Sequence, residues 1–190
     1  MVDNLTELLK RCKRGDQQAQ SELYRLCHPV LMRIGLRYQS DEATAVALVN
    51  EGFFKILTRL DSLRPGVPFD TWMRRVMINT AIDHFRRNKT NFEKTEYRDF
   101  SVPETGRTEN EFALNEADLR LDVEQLEAMI RSLPPVSREV FNLFAIDGYS
   151  HAEISDLLGM SAGTSKWHLS TARSRLQAMI KDYANAQKVQ

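Results

Sequence analysis

Apolar residues recur at steps of three and four along most of this chain, and no segment carries the every-other-residue alternation of a strand. The pattern predicts a first helix over 3–14, with Leu5, Leu8, Leu9 and Cys12 on one face and Gly15 as its stop. Asp16 is placed to cap a second helix, whose stripe is Ala19, Leu23, Leu26, Cys27, Val30, Leu31 and Ile34, with Pro29 as an expected interruption. After a break at 38–40, Asp41 starts a third helix carrying Ala45, Leu48, Val49, Phe53, Ile56, Leu57 and Leu60. The segment LRPGVPFDTW reads as a loop, from which Asp70 or Thr71 caps a fourth helix reaching about Arg87. Its inward set is Trp72, Met73, Val76, Met77, Thr80 and Phe85.

Residues 88–115 lose the periodicity and turn polar and acidic, the signature of a flexible linker. Helical character resumes over 116–132 through Leu119, Val123, Leu126 and Ile130. Pro134 and Pro135 open another helix with Val140, Leu143, Phe144 and Ile146, closed by Asp147 and Gly148. The stretch 150–177 then reads as two helices joined by a tight turn. Ser150 caps the first, which carries Ile154, Leu157 and Leu158; Gly159 makes the turn, and Ser161 caps the second. Ser155 supplies a small residue where the helices must approach. In the second helix Leu169, Ala172, Leu176 and Ile180 form the inner stripe, leaving Lys166, Trp167, Ser170, Arg173 and Ser174 on the other sides. This is the pattern of a helix-turn-helix whose second helix enters a DNA major groove.

The expected fold is therefore all-α: two small helical domains, at 1–90 and 119–190, joined by an acidic linker over 91–118. A length of 190 residues suits that division. No apolar run approaches membrane-spanning length and the N-terminus lacks a signal-peptide pattern, so membrane insertion is not expected and a cytoplasmic location is. Cys12 and Cys27 sit at apolar helical positions without metal-ligand spacing, which predicts buried thiols.

Charge sharpens the division. Lys plus Arg and Asp plus Glu number 26 each, so net charge is zero. The charges are nonetheless segregated. Residues 64–89 carry Arg64, Arg74, Arg75, Arg86, Arg87 and Lys89 against Asp70 and Asp83, and the following stretch to Glu127 is strongly acidic. In the second reader helix, Lys166, Arg173, Arg175 and Lys181 stand against Asp182, a balance that suits a phosphate partner.

Taken in order, GDQQAQSELYRLC, LVNEGFFKIL and FDTWMRRVMINTAIDHFRRNK, then LPPVSREVFNLFAIDGYSHAEISDLLGMSAGTSKWHLSTARSRL, closely resemble bacterial RNA polymerase sigma factors. The two-domain form resembles their extracytoplasmic-function (ECF) group. The resemblance implies a protein that binds core polymerase, through its clamp coiled coil and flap, and recognises the −10 and −35 promoter elements. It implies polymerase-contact positions at Asn50, Glu51 and Leu57. It places −10 recognition and melting on Arg74, Arg75, Asn79, Asp83, Arg86 and Arg87. The chemistry fits: a melted strand needs cations for its phosphates and hydrogen-bonding groups for its bases. Trp72 is expected in the core rather than as a base platform. The −35 reader is placed on Lys166, Trp167, Ser170, Arg173 and Ser174, with backbone amides at Gly163 and Thr164 placed to hold a phosphate.

One departure stands out. Ser165 occupies a position where the family usually has an inward Val or Ile, and the bulky Trp167 lies beside it. Either the helix is rotated, or Trp167 makes an apolar contact with DNA or with its own scaffold. Many members of the family are held by an anti-sigma factor, a further partner that the resemblance brings into view. A linker of about 30 residues has an r.m.s. span on the order of 30 Å and an extended limit near 100 Å. Promoter elements one and a half to two turns apart are roughly 50–70 Å apart, so the linker must be drawn out.

The alternative is a stand-alone helix-turn-helix regulator that uses only the C-terminal reader. An enzyme is not expected. His28, His84, His151 and His168 are scattered, and there is no metal-binding motif, nucleophile elbow or phosphate-cradling glycine loop. No catalytic residue, metal or cofactor is assigned.

Overall fold

The computed structural model describes residues 2–97 and 123–188, and the side chains of 4–88 and 123–186. The described residues form helices and turns, without a strand. They fall into two compact units, divided at Arg87 and Asn88.

The N-terminal unit contains α1 (Val2–Lys13), α2 (Gln17–Tyr38), α3 (Glu42–Thr58), a 3-10 turn at Leu60–Ser62 and α4 (Phe69–Tyr97). Asp16 caps α2 by accepting from the Ala19 amide at 3.0 Å, and both Nε and Nη2 of Arg11 reach its carboxylate from α1. Asp41 caps α3 in the same way through Thr44. Helix α2 packs between α1 and α3, and its stripe disappears into the core at Ala19, Leu23, Cys27, Leu31 and Ile34. Fully burying side chains of the size of Leu23, Leu31, Leu48 and Ile56 stabilises the unit by about 1.5–3 kcal/mol each. Cys12 and Cys27 are free and buried, as expected, and burial pushes the Cys27 thiol up to about 12.

Several expectations are corrected here. Pro29 does not interrupt α2, which runs through it. Pro29 lies on the exposed side of the helix, where water can satisfy the carbonyl four residues earlier. Leu26, expected inside, is 58 % exposed because the core side of α2 is already filled by Leu23 and Cys27. Helix α4 is not capped at Asp70 or Thr71. It begins at Phe69, directly after Pro68, whose carbonyl accepts from the Trp72 amide. It also continues to Tyr97, so 88–97, expected as linker, is helical at its backbone. No Gly or Pro lies between Phe69 and Tyr97, and each added residue contributes a hydrogen bond without a new nucleation cost. The rest of the expected linker, and the helical start expected at 116–122, lie outside the described residues.

Gly52 sets the approach of α3 to α4. A Cβ placed there would lie 2.5 Å from Sδ of the buried Met77.

The C-terminal unit contains α5 (Val123–Arg131), α6 (Pro135–Phe141), a π-helical turn at Asn142–Ile146, α7 (His151–Leu158) and α8 (Ala162–Lys188). Helix α8 is its spine and packs against α5, α6 and α7. Ala172 and Leu176 of α8 join Ile130 and Leu133 in one apolar cluster. The π turn advances less per residue than an α-helix, and Ile146, expected inward, is 45 % exposed. A capping box closes the start of α7: Ser150 accepts from the Glu153 amide while Glu153 accepts from the Ser150 amide. Gly159 ends α7 in the left-handed conformation (φ 62°), and Ser155 donates its hydroxyl to the Met160 carbonyl across the turn.

The interior of this unit also holds polar groups. Ser137 Oγ lies 3.0 Å from His168 Nδ1, and Arg138 Nη1 donates to the Arg131 carbonyl. Glu139 is only 2 % exposed, and burial raises its carboxyl well above the usual range, against the opposing charge of Arg138.

Two outcomes follow. Gly52→Ala gains up to about 1 kcal/mol in helix propensity but overpacks against Met77 at a cost of about 1–3 kcal/mol. Urea melts are expected to show net destabilisation, relieved when Met77→Val removes the δ atom in the double variant. For Glu139, a raised folded pKa means the folded state holds the proton that the unfolded chain releases near pH 4.5. Stability contributed by this group is whole below that pH and is lost as pH rises toward the folded value. Glu139→Gln, neutral at every pH, is expected to increase amide protection of Val140 and Leu143 at pH 7 but not at pH 4. Hydrogen exchange measures both.

Candidate nucleic-acid interfaces

On the N-terminal unit, the expected polymerase-contact residues lie on the outer side of α3. Asn50 is exposed and accepts at Oδ1 from the Tyr24 hydroxyl of α2, at 3.2 Å. Leu57 is half-buried and lines a groove of about 540 Å³ with Gln17, Gln20, Ser21, Tyr24, Arg25 and Phe53. The Tyr24 ring meets Phe53 edge-on, with centroids 4.9 Å apart. Sequence reasoning missed Tyr24 and Phe54. Phe54 is 66 % exposed and one helical turn from Leu57. The available signal was spacing, since Phe54 lies about 160° around α3 from the buried arc of Ala45, Val49 and Ile56.

Glu51 joins the two expected functions. Its carboxylate takes Lys55 Nζ at 3.1 Å and Arg87 Nη2 of α4 at 2.9 Å. Lys55 also reaches Asp83 of α4 at 3.1 Å. Burial works to raise the Glu51 pKa, but hydrogen bonds from Arg87 and Lys55 outweigh it and hold the carboxyl below its usual range. Two residues assigned to promoter opening, Asp83 and Arg87, are thus tied to the helix assigned to polymerase docking. Arg74 is paired with Asp70, one turn earlier on α4.

The remaining −10 candidates form a stripe. Arg75, Asn79 and Arg86 are all exposed. At 100° per residue they fall within about 40° of one another around α4. Asp83 and Arg87 lie to one side of that stripe, toward α3. Trp72 is half-buried, its ring tilted against Phe69 with centroids 6.0 Å apart, closer to a core residue than to an open platform. His84 lies 3.3 Å from the Gln39 amide nitrogen, and burial followed by the nearby Arg87 charge lowers its pKa.

On the C-terminal unit, α8 separates cleanly into two arcs. Ser165, His168, Leu169, Ala172 and Leu176 are buried. Lys166, Trp167, Ser170, Arg173 and Ser174 are exposed, together with Gly163 and Thr164 at the helix start. Lys166, Ser170 and Arg173 lie within about 60° of one another, the width of one contact stripe in a groove. The Thr164 amide is taken by the Ser161 hydroxyl at 3.0 Å, so this amide serves the cap rather than standing open to a phosphate. Trp167 is 44 % exposed and meets the His168 ring edge-on.

Ser165 points inward, so α8 is not rotated away from the expected register. Its hydroxyl lies 2.9 Å from Nδ1 of His151, at the start of α7. His151 was not singled out from the sequence, where it reads as one of four scattered histidines. Burial, then the charges of Lys166 and Arg173, lower its pKa. Among the described residues no group of His, Cys, Asp and Glu could hold a metal ion, and no helix is long and apolar enough to cross a membrane.

Comparison with known proteins bears on both surfaces. The family model for Sigma-70 region 2 matches residues 23–90, covering the α3–α4 surface. The model for Sigma-70, region 4 matches residues 123–176, covering the helix-turn-helix. The chain is 26% identical over 182 residues to the ECF RNA polymerase sigma factor SigW of Bacillus subtilis, an alignment spanning 92% of this chain and 95% of that one. It is 29% identical over 192 residues to the ECF RNA polymerase sigma-E factor of Escherichia coli K12, spanning 95% and 97%. A solved structure of the sigma factor RpoE in complex with the anti-sigma factor NepR, from Bartonella quintana, aligns over 85% of this chain and 96% of that one, at 20% identity and a TM-score of 0.48. Regions 2 and 4 in order, with nearly end-to-end similarity to two ECF factors, make this chain a member of the sigma-70 family of RNA polymerase sigma factors, in its ECF group.

Proposed function

We propose that the two units divide the work of promoter-directed initiation between named surfaces. The chain binds core RNA polymerase and directs it to promoters by recognising −10 and −35 elements. In this reading Asn50, Glu51 and Leu57, with Tyr24 and Phe54 beside them, form the surface that docks on the polymerase clamp. A half-apolar groove rimmed by exposed aromatic and polar groups suits a helical partner. The Arg75–Asn79–Arg86 stripe of α4 takes the −10 strand, with the arginines on phosphates and Asn79 on a base edge. Arg74, Asp83 and Arg87 border it through their ion pairs. Lys166, Ser170 and Arg173 of α8 enter the major groove at −35, with Trp167 and Ser174 at the edge of the contact.

The observation that carries this reading is the two-arc character of α8: one side supplies the core of the unit, and the other presents exposed basic and hydroxyl side chains. The chain itself supplies no covalent chemistry in this scheme, and it works where core polymerase and DNA are found, in the cytoplasm.

The division of labour is testable with purified chain, core polymerase and a linear promoter fragment. Arg173→Ala and Lys166→Ala are expected to lower promoter-dependent transcription about tenfold each, at unchanged affinity for core. The Asn50→Ala, Glu51→Ala double variant is expected to weaken core binding, measured by fluorescence anisotropy. Equal core affinity in all three would refute the assignment. Each lost phosphate contact should also reduce the slope of log K against log salt by about 0.9. A chain that binds duplex promoter tightly without core would instead be a stand-alone regulator.

A further inference from the structure

The two helices of the reader meet through a polar contact in the interior of the unit. Ser165 of α8 is fully buried, and its hydroxyl lies 2.9 Å from Nδ1 of His151, the first residue of α7. The imidazole is stacked on the Phe144 ring, with centroids 4.5 Å apart and planes 22° from parallel. The same Phe144 ring carries the guanidinium carbon of Arg173, 5.9 Å from its centroid. Ser165, His151, Phe144 and Arg173 thus form a continuous chain through the π turn, the start of α7 and α8. It leaves α8 at Ser165 and returns at Arg173, about 12 Å further along the helix axis.

Each link constrains a different freedom. A pair of apolar side chains can slide past one another, whereas a hydroxyl–imidazole hydrogen bond is directional and fixes the rotation of α8 about its own axis. The stack on Phe144 holds the imidazole plane and with it the direction of Nδ1. At the far end, the guanidinium over the Phe144 face restricts a long side chain that would otherwise sample many rotamers. The charges around the imidazole are Lys166 and Arg173, both on α8, and they favour its neutral form.

We propose that His151 is a positioning residue of the −35 reader: through Ser165 and Phe144 it sets the rotation of α8 and aims Arg173 at its base, shaping sequence preference without touching DNA. The proposal rests on the reading of α8 as the −35 reader, and it gives the buried Ser165 hydroxyl a role. Here Ser165 and His151 act as one unit.

The test uses holoenzyme, reconstituted from the full chain and core polymerase, to select from a promoter library randomised across the −35 element with a constant −10 region. Arg173→Ala first identifies the positions whose preference depends on Arg173. His151→Ala is expected to relax the preference at those same positions about tenfold, leaving the others and core affinity unchanged. His151→Asn, which keeps a hydrogen-bonding atom near the place of Nδ1, is expected to restore part of the preference. Ser165→Ala, which removes the hydroxyl and leaves His151 in place, serves as the test variant should His151→Ala fail to fold. An unchanged profile in His151→Ala, or in Ser165→Ala where that is the variant that folds, overturns the proposal. So does a uniform loss at every position that follows a lower melting temperature, which marks a merely structural role. Wild-type holoenzyme selecting no −35 sequence at all overturns the reader assignment beneath it, and this inference with it.

Discussion

One face of α8 must be buried for the C-terminal unit to have a core at all. Leu169, Ala172 and Leu176 occupy that face, and α5, α6 and α7 pack around it. A helix committed in this way cannot turn its basic side inward, so Lys166, Ser170 and Arg173 are presented to solvent in fixed register. Stability and recognition are therefore set by the same helix rotation. Ser165 lies in the middle of that buried arc, between Ala172 and Leu176 around the helix, as a fully buried hydroxyl. Its contact with His151, 2.9 Å away, adds a directional polar link between α7 and α8 to the apolar packing around it.

In the N-terminal unit the corresponding constraint is electrostatic. Glu51, Lys55, Asp83 and Arg87 bridge α3 and α4 through pairs of 2.9–3.1 Å. Partly exposed pairs of this kind typically contribute at most about 1 kcal/mol each, so they do little to hold the unit together. Gly52 against Met77 and the buried aliphatic side chains do that. What the pairs control is where long side chains point. With Arg87 drawn toward Glu51 and Asp83 toward Lys55, the outward stripe of α4 is left to Arg75, Asn79 and Arg86. The Glu51 carboxylate holds both Lys55 of its own helix and Arg87 of α4, so any group that engaged it would compete with those pairs.

Much of this was legible in the sequence, because helical periodicity reports burial directly. The inner sets of α3 and α8, the caps at Asp16, Asp41 and Ser150, and the turn at Gly159 all follow from residue type and spacing. The failures have local physical causes. Periodicity marks an apolar residue as inward even where the neighbouring core is full, as at Leu26, or where a π turn changes the advance per residue, as at Ile146. Loss of periodicity predicts a linker, yet a helix with no breaker continues where the periodicity ends, as α4 does to Tyr97. Long-range polar partners leave no periodic trace. The bonds of Glu51 to Arg87, Tyr24 to Asn50 and His151 to Ser165 join residues far apart in the chain, and only the fold brings them together.

In the proposed division of labour, the two promoter-reading surfaces act together only when core polymerase holds them. Footprinting a promoter with the full chain, with and without core, tests it most directly, with permanganate reporting unpaired thymines. Protection over both the −35 and −10 elements and reactive thymines at −10 are expected when core is present, and neither with the chain alone. Protection of duplex DNA by the chain alone, or holoenzyme that protects the −35 region without opening −10, would contradict it.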